Sequence, residues 1–185
     1  MIRDFKGDQW KEVGKVNEFD EMNPILLANN LLVPYLVACA EEYFRATYIA
    51  LLKYSDKKPQ ILNSVRVSGD FLIQSFDSSH PLETAIASTL SCQNLSSICN
   101  HFKTLDAKLD IAGALHKPFR KRRVTLFESI QNLIEHRHSL IHRNDIRTSY
   151  TEENMNRDVA DLEAAIKRVY KVIADRYDWI YDDSY

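Results

Sequence analysis

Apolar residues recur at a helical spacing along most of the chain, beginning with a long segment near the N-terminus. The residues from Asn23 to about Tyr54 predict one helix, in which Pro34 either introduces a kink or marks the first turn of a second helix. The most apolar run of this segment, Ile25 to Ala40, is broken by polar residues and falls short of the roughly 18 uninterrupted apolar residues that a membrane span requires. We therefore expect a core helix and no membrane span.

The middle of the chain predicts shorter helices. One covers part of the segment from Gln60 to Ser79, and the next runs from Pro81 to about Cys92 with Ser79 as its N-cap. A third helix follows, and the segment after it is predicted to be a loop as far as Gly113. The third helix is expected to bury one stripe of residues, namely Leu95, Ile98, Cys99 and Phe102.

Two long amphipathic helices are predicted in the last third of the chain. One runs from about Pro118 to about Ile141, and the other runs from about Thr151 to Trp179. Ser149 and Glu152 have capping-box spacing at the start of the last helix. Its apolar face is formed by Met155, Val159, Leu162, Ile166, Val169, Val172 and Ile173.

The composition agrees with an all-α fold. The chain has 185 residues, of which 45% are hydrophobic and 27% charged, and its four Gly and five Pro are few for a fold rich in hairpins. We predict an N-terminal extension over 1–20, a single helical domain over 21–180 and an acidic C-terminal tail over 181–185. Because the formal net charge is -2, an anion-binding site must come from a local cluster of basic residues.

The cysteines and the N-terminal sequence indicate a cytoplasmic protein. Cys39, Cys92 and Cys99 are an odd count with apolar or small neighbours, which suits buried free thiols in a reducing compartment. The first residues include acids and lack the apolar core of a signal peptide.

The helix that ends near Ile141 places an arginine among its apolar residues. At about 100° per residue, Arg137 projects into the arc that also holds Leu126, Phe127, Ile130, Leu133, Ile134, Leu140 and Ile141. His138 and His142 project to one edge of this arc, whereas His136 and Arg143 project towards the polar side. Because arginine keeps its charge, Arg137 needs an anion or a cleft open to water.

Two anions can satisfy Arg137. One is internal, because Glu41 or Glu42 of the first long helix could pair with it and clamp two helices together. The other is a bound phosphate, which an arginine fork recognises bidentately. Since histidine exchanges protons near neutral pH, His138 and His142 beside such a phosphate would suit phosphodiester cleavage.

Other roles for the histidine pair and for the nearby basic run stay open. Histidines in the last turn of a helix can simply cap its carbonyls, and the absence of an HExxH pattern argues against a metal site. The basic run is either a solvated helix end or a track for a polyanionic backbone. It supplies Lys117, Arg120, Lys121, Arg122 and Arg123. Because a helix from Pro118 to His142 would span roughly 36 Å, the run could not touch the Arg137 site within one helix, though in a dimer it could approach the partner's site.

The sequence RHSLIH, Arg137 to His142, resembles the R-x4-H motif of HEPN-domain ribonucleases, which lies at the end of a long helix. The segments EEYFRATYIALL, LSCQNLSSICNHFKTL and LFESIQNLIEHRHSLIHR look like successive parts of the RiboL-PSP type of HEPN domain. This resemblance implies an antiparallel helical bundle with additional short helices. It also implies a homodimer that joins two R-x4-H motifs in one cleft.

The resemblance further implies a metal-independent endoribonuclease without a cofactor. Arg137 would contact the scissile phosphate, and His142 would act on the 2′-hydroxyl or on the leaving 5′-oxygen, leaving a 2′,3′-cyclic phosphate. His138 stands where the family most often has Asn, and we take it as a second catalytic residue. A subgroup has a modifiable Tyr at the position of Asn144, so regulation of that kind is not expected here.

Glu41, Glu42 and Arg45 look like the polar residues that the family's first helix directs towards the site, and Glu41 is slightly favoured because it shares a helix face with Arg45. Arg143 is a further candidate for RNA binding. The resemblance suggests a toxin, abortive-infection or phage-defence effector that acts on RNA and has a cognate antitoxin or defence partner. The alternatives are a non-catalytic HEPN module that binds RNA, a nucleotide or a protein, and a plain helical dimerisation domain.

Overall fold

The structure is a computed structural model that describes residues 23–65, 69, 73, 81–91 and 94–180. Within these ranges it contains seven helices and no strand. The helices are α1 (Pro24–Lys53), α2 (Lys58–Ser64), α3 (Leu82–Ser88), α4 (Leu95–Leu105), α5 (Ile111–His116), α6 (Leu126–Arg143) and α7 (Glu152–Tyr177). The all-α prediction is thereby confirmed, while the HEPN-like arrangement and the homodimer stay predictions. The predicted extension over 1–20 and the predicted tail over 181–185 lie outside the described residues.

Helix α1 is one continuous helix, as its apolar pattern predicts. The Asn23 side chain caps its start by accepting a hydrogen bond from the Ile25 N–H at 3.0 Å, and Pro34 lies within the helix without ending it. By length and composition α1 could cross a membrane, a test that core helices of soluble proteins also pass. Its buried face packs against α3, α4, α6 and α7 and comprises Asn29, Asn30, Val33, Val37, Ala40, Phe44, Tyr48, Leu51 and Leu52.

Helix α4 lies in the core and buries the predicted stripe. Asn94 caps it through the Ser97 N–H at 2.7 Å, and the Phe102 ring packs edge-on against Phe44 and Tyr48 of α1. The buried residues include Leu95, Ile98, Cys99 and Phe102. Burial raises the pKa of the Cys99 thiol to about 11.

The prediction of buried thiols is wrong for Cys39. This residue is exposed because it lies on the outer face of α1, away from the buried positions Val37 and Ala40. Cys92 lies outside the described residues.

The predictions for α2 and α3 were right in kind and inaccurate at the helix ends. Helix α2 occupies the beginning of the segment predicted from Gln60, whereas most of the remainder lies outside the described residues, as does the predicted cap Ser79. Helix α3 ends at Ser88, before the predicted end near Cys92. Glu83 in its first turn forms a partly buried ion pair with Lys58 of α2, which joins the two short helices.

The predicted loop as far as Gly113 is wrong in its last part, because α5 begins at Ile111. The Asp110 side chain caps this helix by accepting a hydrogen bond from the Gly113 N–H at 2.9 Å. A Cβ at Gly113 would lie 2.1 Å from an Asp110 carboxylate oxygen, so glycine permits the close cap. Burial of Ile111, Ala114 and Leu115 then stabilises a helix that is too short to persist alone.

Helix α6 begins eight residues later than the predicted start at Pro118. Thr125 and Glu128 form a capping box, with the Thr125 hydroxyl accepting from the Glu128 N–H at 3.2 Å and the Glu128 carboxylate accepting from the Thr125 N–H at 2.8 Å. Upstream, Arg120 and Lys121 adopt φ of 48° and 56°, which a right-handed helix excludes. The basic run therefore forms the connection between α5 and α6.

Helix α7 begins after Thr151, so the predicted cap by Ser149 and Glu152 is wrong. Thr151 and Asn154 form the capping box, and Tyr150, which precedes Thr151, is buried. Of the predicted apolar face, Met155, Leu162, Val169 and Ile173 are buried, Ile166 and Val172 are partly buried and Val159 is 43% exposed.

Candidate active site

The Arg137 guanidinium of α6 forms an ion pair with Glu41 of α1, and the joining hydrogen bond from Nη1 to Oε1 measures 3.3 Å. The two side chains are 31% and 17% exposed, so the pair lies at the edge of the α1–α6 contact. The internal anion considered for Arg137 is thus present. An arginine fork has five N–H donors, and within the described part of the chain Glu41 is the hydrogen-bond acceptor of Arg137.

A surface cavity of about 420 Å³ opens beside this ion pair. It is lined by Glu41, Arg45, Arg137 and the residues of the 88–91 segment that follows α3. Two guanidinium groups thus face the cavity with the carboxylate of Glu41. Arginine forks bind phosphate oxygens, and here each fork is already paired with a glutamate of α1, Arg137 with Glu41 and Arg45 with Glu42.

The two glutamates of α1 have different partners. Glu42 accepts a hydrogen bond from Arg45 at 2.9 Å, one helical turn away, whereas Glu41 pairs with Arg137. Glu41 is therefore the glutamate that reaches the cavity, in line with the slight preference from the helix-face argument. The reason differs from that argument, however, because Arg45 bonds Glu42.

His138 and His142 lie together on an exposed side of α6, in its last two turns. Their ring centroids are 4.4 Å apart, and the ring planes are tilted by 47°. Arg143 is exposed beside them, and the helix ends where Asn144 adopts a left-handed φ of 50°. The prediction that the two histidines share one edge of the helix is confirmed, and both imidazoles can be reached from solvent.

Two positions of α6 differ from their projected places. His136 was projected towards the polar side but is 1% exposed, and Ile141 was projected into the apolar arc but is 54% exposed. His136 is buried because α1 and the loop before α7 cover that side of α6. Ile141 is exposed although its neighbour Leu140 packs against the core.

A polar network that the sequence reasoning missed surrounds His136. The Asn30 carboxamide binds both backbone polar groups of Arg147, accepting from its N–H at 3.0 Å and donating to its carbonyl at 3.1 Å. The same Oδ1 lies 3.1 Å from Nε2 of His136, which therefore carries the proton on that nitrogen. Burial, and next the positive charge of Arg147, lower the pKa of His136 to about 4. The sequence signal was Asn30 itself, a polar residue in an apolar run.

The basic run lies directly before α6 and is partly occupied by contacts within the chain. Arg122 donates to the buried Asp161 carboxylate at 2.6 Å, and Arg168 of α7 donates to the Lys117 carbonyl at 3.0 Å. The Phe119 ring has guanidinium carbons over it at 5.0 to 5.4 Å, from Arg120, Arg122 and Arg168. The exposed basic residues of the run are Lys117, Arg120, Lys121 and Arg123. Contact of this run with RNA stays a prediction.

In the part of the chain that the structure describes, no group of three or more His, Cys, Asp or Glu side chains could hold a metal ion. The histidine pair thus has no further ligand of these types grouped with it there. Comparison with protein-family models, curated proteins and solved structures finds no match to this chain.

Proposed function

We propose that this protein is a metal-independent endoribonuclease of the HEPN kind, which cleaves RNA in a cleft between two copies of the chain. The observation that carries the proposal is that Arg137 and the exposed pair His138 and His142 share the last two turns of α6, although Arg137 lines the cavity and the two histidines do not. Arg137 borders an open cavity, and an exposed histidine pair with 4.4 Å between ring centroids follows within two turns. One cationic anchor and two proton-transfer groups are the parts that phosphodiester cleavage requires.

In the proposed reaction the 2′-oxygen of a ribose attacks the adjacent phosphorus. A bond forms between that oxygen and phosphorus, and the bond from phosphorus to the 5′-oxygen breaks, which leaves a 2′,3′-cyclic phosphate and a 5′-hydroxyl. One group accepts the 2′-hydroxyl proton and another protonates the leaving oxygen. We assign these transfers to His142 and His138 without dividing the two roles, and we assign stabilisation of the phosphate charge to Arg137.

Exposed apolar side chains support the homodimer in this proposal. Leu31 and Tyr35 on α1 are 57% and 70% exposed, and Ile141 on α6 is 54% exposed. Leu31, Tyr35 and Glu42 recur at i, i+4 and i+11 and so share one face of α1. The two helices that supply Glu41 and Arg137 therefore also offer apolar surface that a second copy could cover.

The proposal is tested by incubating purified protein with total RNA in excess EDTA. We expect the wild type to cut RNA and to leave 2′,3′-cyclic phosphate ends, detected by mass spectrometry. Removal of a proton-transfer group or of the phosphate anchor should lower the rate on the order of 100-fold or more. The variants are Arg137→Ala, His138→Ala and His142→Ala.

His116→Ala is the matched control. His116 is an exposed histidine at the end of α5, and its ring stacks on Phe127 of α6. Circular dichroism and light scattering establish folding and oligomeric state for every variant. A folded wild-type dimer that cuts no RNA, or a His142→Ala variant as active as the wild type, would remove the catalytic proposal.

The ion pair between Arg137 and Glu41 favours a second candidate, a non-catalytic module in which Arg137 only joins α1 to α6. On that view Arg137→Ala leaves a partly buried carboxylate unpaired and destabilises the fold. His142→Ala would then have little effect on stability, since His142 is exposed. Denaturant unfolding of both variants, beside the cleavage assay, separates the two candidates.

We further propose that such a nuclease acts in the cytoplasm as a toxin or defence effector. Its partner would be an antitoxin or a defence-system protein. Co-expression tests this role directly. Wild-type expression should arrest growth, and Arg137→Ala expression should not.

A further inference from the structure

A second cavity, distinct from the one beside Arg137, lies between α6 and α7. It has a volume of about 450 Å³ and is also lined by the connection before α6 and the loop before α7. Four arginines line it, namely Arg122, Arg123, Arg147 and Arg157. Sequence reasoning had placed Arg122 and Arg123 in a basic run and had given Arg147 and Arg157 no role.

The cavity has an excess of positive charge. Its two aspartates are already engaged, because Asp161 accepts hydrogen bonds from Arg122 at 2.6 Å and Ser129 at 2.5 Å, and Asp158 accepts one from the Tyr150 hydroxyl at 2.7 Å. The lining histidine, His136, is neutral at pH 7 because its pKa is about 4. Four arginines against two aspartates leave an excess of two positive charges in a chain whose formal net charge is -2.

Several of the donors in this cavity lack a partner among the residues that the structure describes. Arg123, Arg147 and Arg157 are exposed, and in the described ranges none of their guanidinium groups forms an ion pair. Nε of Arg122 is buried and, among the described residues, has no hydrogen-bond partner. A buried unpaired donor costs free energy, and a bound acceptor would remove that cost.

The walls of the cavity are held together by hydrogen bonds within the chain. The Asn30 side chain of α1 holds the Arg147 peptide by two hydrogen bonds, and the Arg122–Asp161–Ser129 contacts join the connection before α6 to both long helices. Binding therefore requires little more than ordering of the exposed arginine side chains. Such preorganisation favours affinity for a small ligand.

We propose that this cavity binds a phosphate monoester through Arg147, Arg157 and Arg122, with Arg123 as a further contact. A monoester carries about two negative charges at neutral pH, which matches the charge excess, whereas a phosphodiester within RNA carries one. Planar arginine forks recognise phosphate oxygens in pairs. The volume lies in the range of small-molecule sites, roughly 300–1,000 Å³, so the cavity can also hold the group that bears the phosphate.

Two sources can supply a phosphate monoester, namely a free phosphorylated metabolite of nucleotide size and the 5′-phosphate of an RNA. Titration calorimetry with inorganic phosphate and adenosine 5′-monophosphate tests the first source, with adenosine as the unphosphorylated control. A short RNA with a 5′-phosphate, compared with the same RNA with a 5′-hydroxyl, tests the second. Binding of the phosphorylated member of either pair, and weaker binding of its unphosphorylated member, is the expected result.

The variants Arg147→Gln and Arg157→Gln each remove one exposed charge and should weaken binding of the phosphorylated probe 10-fold or more. Lys171→Gln is the matched control, because Lys171 is exposed on the same helix as Arg157 and 14 residues further along. It should change the affinity less than twofold. Circular dichroism establishes that all three variants fold.

The proposal does not rest on RNA cleavage, and Arg137→Ala shows this separately, since that variant should bind the phosphorylated probe as the wild type does. The proposal is overturned if no phosphorylated probe binds at millimolar concentration. It is also overturned if Lys171→Gln weakens binding as much as the arginine variants do, or if the unphosphorylated member binds as tightly as the phosphorylated member in both pairs.

Discussion

His136 should make the stability of the protein depend on pH between about pH 7 and pH 4. In the unfolded chain a histidine has a pKa of about 6.5, whereas burial lowers the pKa of His136 to about 4 in the folded protein. The unfolded state therefore binds more protons than the folded state between these two values. Stability is fully present above the unfolded pKa and falls as the pH drops towards the folded one.

The magnitude follows from the two pKa values. Each unit of pKa difference corresponds to about 1.4 kcal/mol, so the free energy of unfolding should fall by about 2 kcal/mol between pH 7 and pH 5. The full loss, reached below pH 4, is about 3 kcal/mol. The structural cause is that an imidazolium at this position would be 1% exposed and would face the positive charge of Arg147.

The assay is urea unfolding of the wild type and His136→Gln at pH 7, 6 and 5. Glutamine places a neutral N–H donor near the position of Nε2 and can keep the bond to Asn30, so the variant isolates the titration. The free energy of unfolding of His136→Gln should decrease less with falling pH than that of the wild type, by about 2 kcal/mol at pH 5. His138→Gln, an exposed histidine on the same helix, should follow the wild type. Equal slopes for the wild type and His136→Gln would refute the reasoning.

Three further substitutions test the contacts that hold the fold. Asn30→Leu should lower the free energy of unfolding by about 3 kcal/mol in urea, because it leaves several buried groups of the network unpaired; a loss below 1 kcal/mol would contradict this. Asp161→Ala should cost about 3–5 kcal/mol by leaving the half-buried Arg122 charge unpaired, and a thermal midpoint equal to that of the wild type would argue against it. Thr125→Ala should cost about 1 kcal/mol through loss of the cap of α6, whereas Thr125→Ser, which keeps the hydroxyl, should cost clearly less.

Apolar periodicity correctly predicted those helices whose buried face is marked by a clear apolar pattern. Helix α4 buries the four residues expected of it, and α1 continues through Pro34. Helix α5 was missed because its short sequence has no periodicity to read, and its formation depends on burial against neighbouring helices and on the cap from Asp110. The late start of α6 could have been read from the sequence, since Thr125 and Glu128 have capping-box spacing.

The candidate site was predictable only in part, because the sequence of α6 does not show which of its sides other helices cover. A helical projection treats α6 as having one buried side, and it correctly grouped His138 with His142. It failed for His136 because α6 is covered by α1 on one side and by α7 on another, so its buried surface is wider than its apolar stripe. No property of α6 alone reveals that Asn30 of α1 will satisfy an imidazole there.

The contact between α1 and α6 is held by two polar pairs that point to different cavities. His136 and Arg137 are neighbours in sequence and project about 100° apart, and each meets a polar residue of α1, Asn30 in one case and Glu41 in the other. A shift of either helix along the other would leave these groups unpaired in a largely apolar contact, at a cost of about 1–3 kcal/mol for each buried group. The two pairs therefore fix how α1 and α6 are aligned. That alignment places Arg137 beside one cavity, and through Asn30 it places Arg147 beside the other.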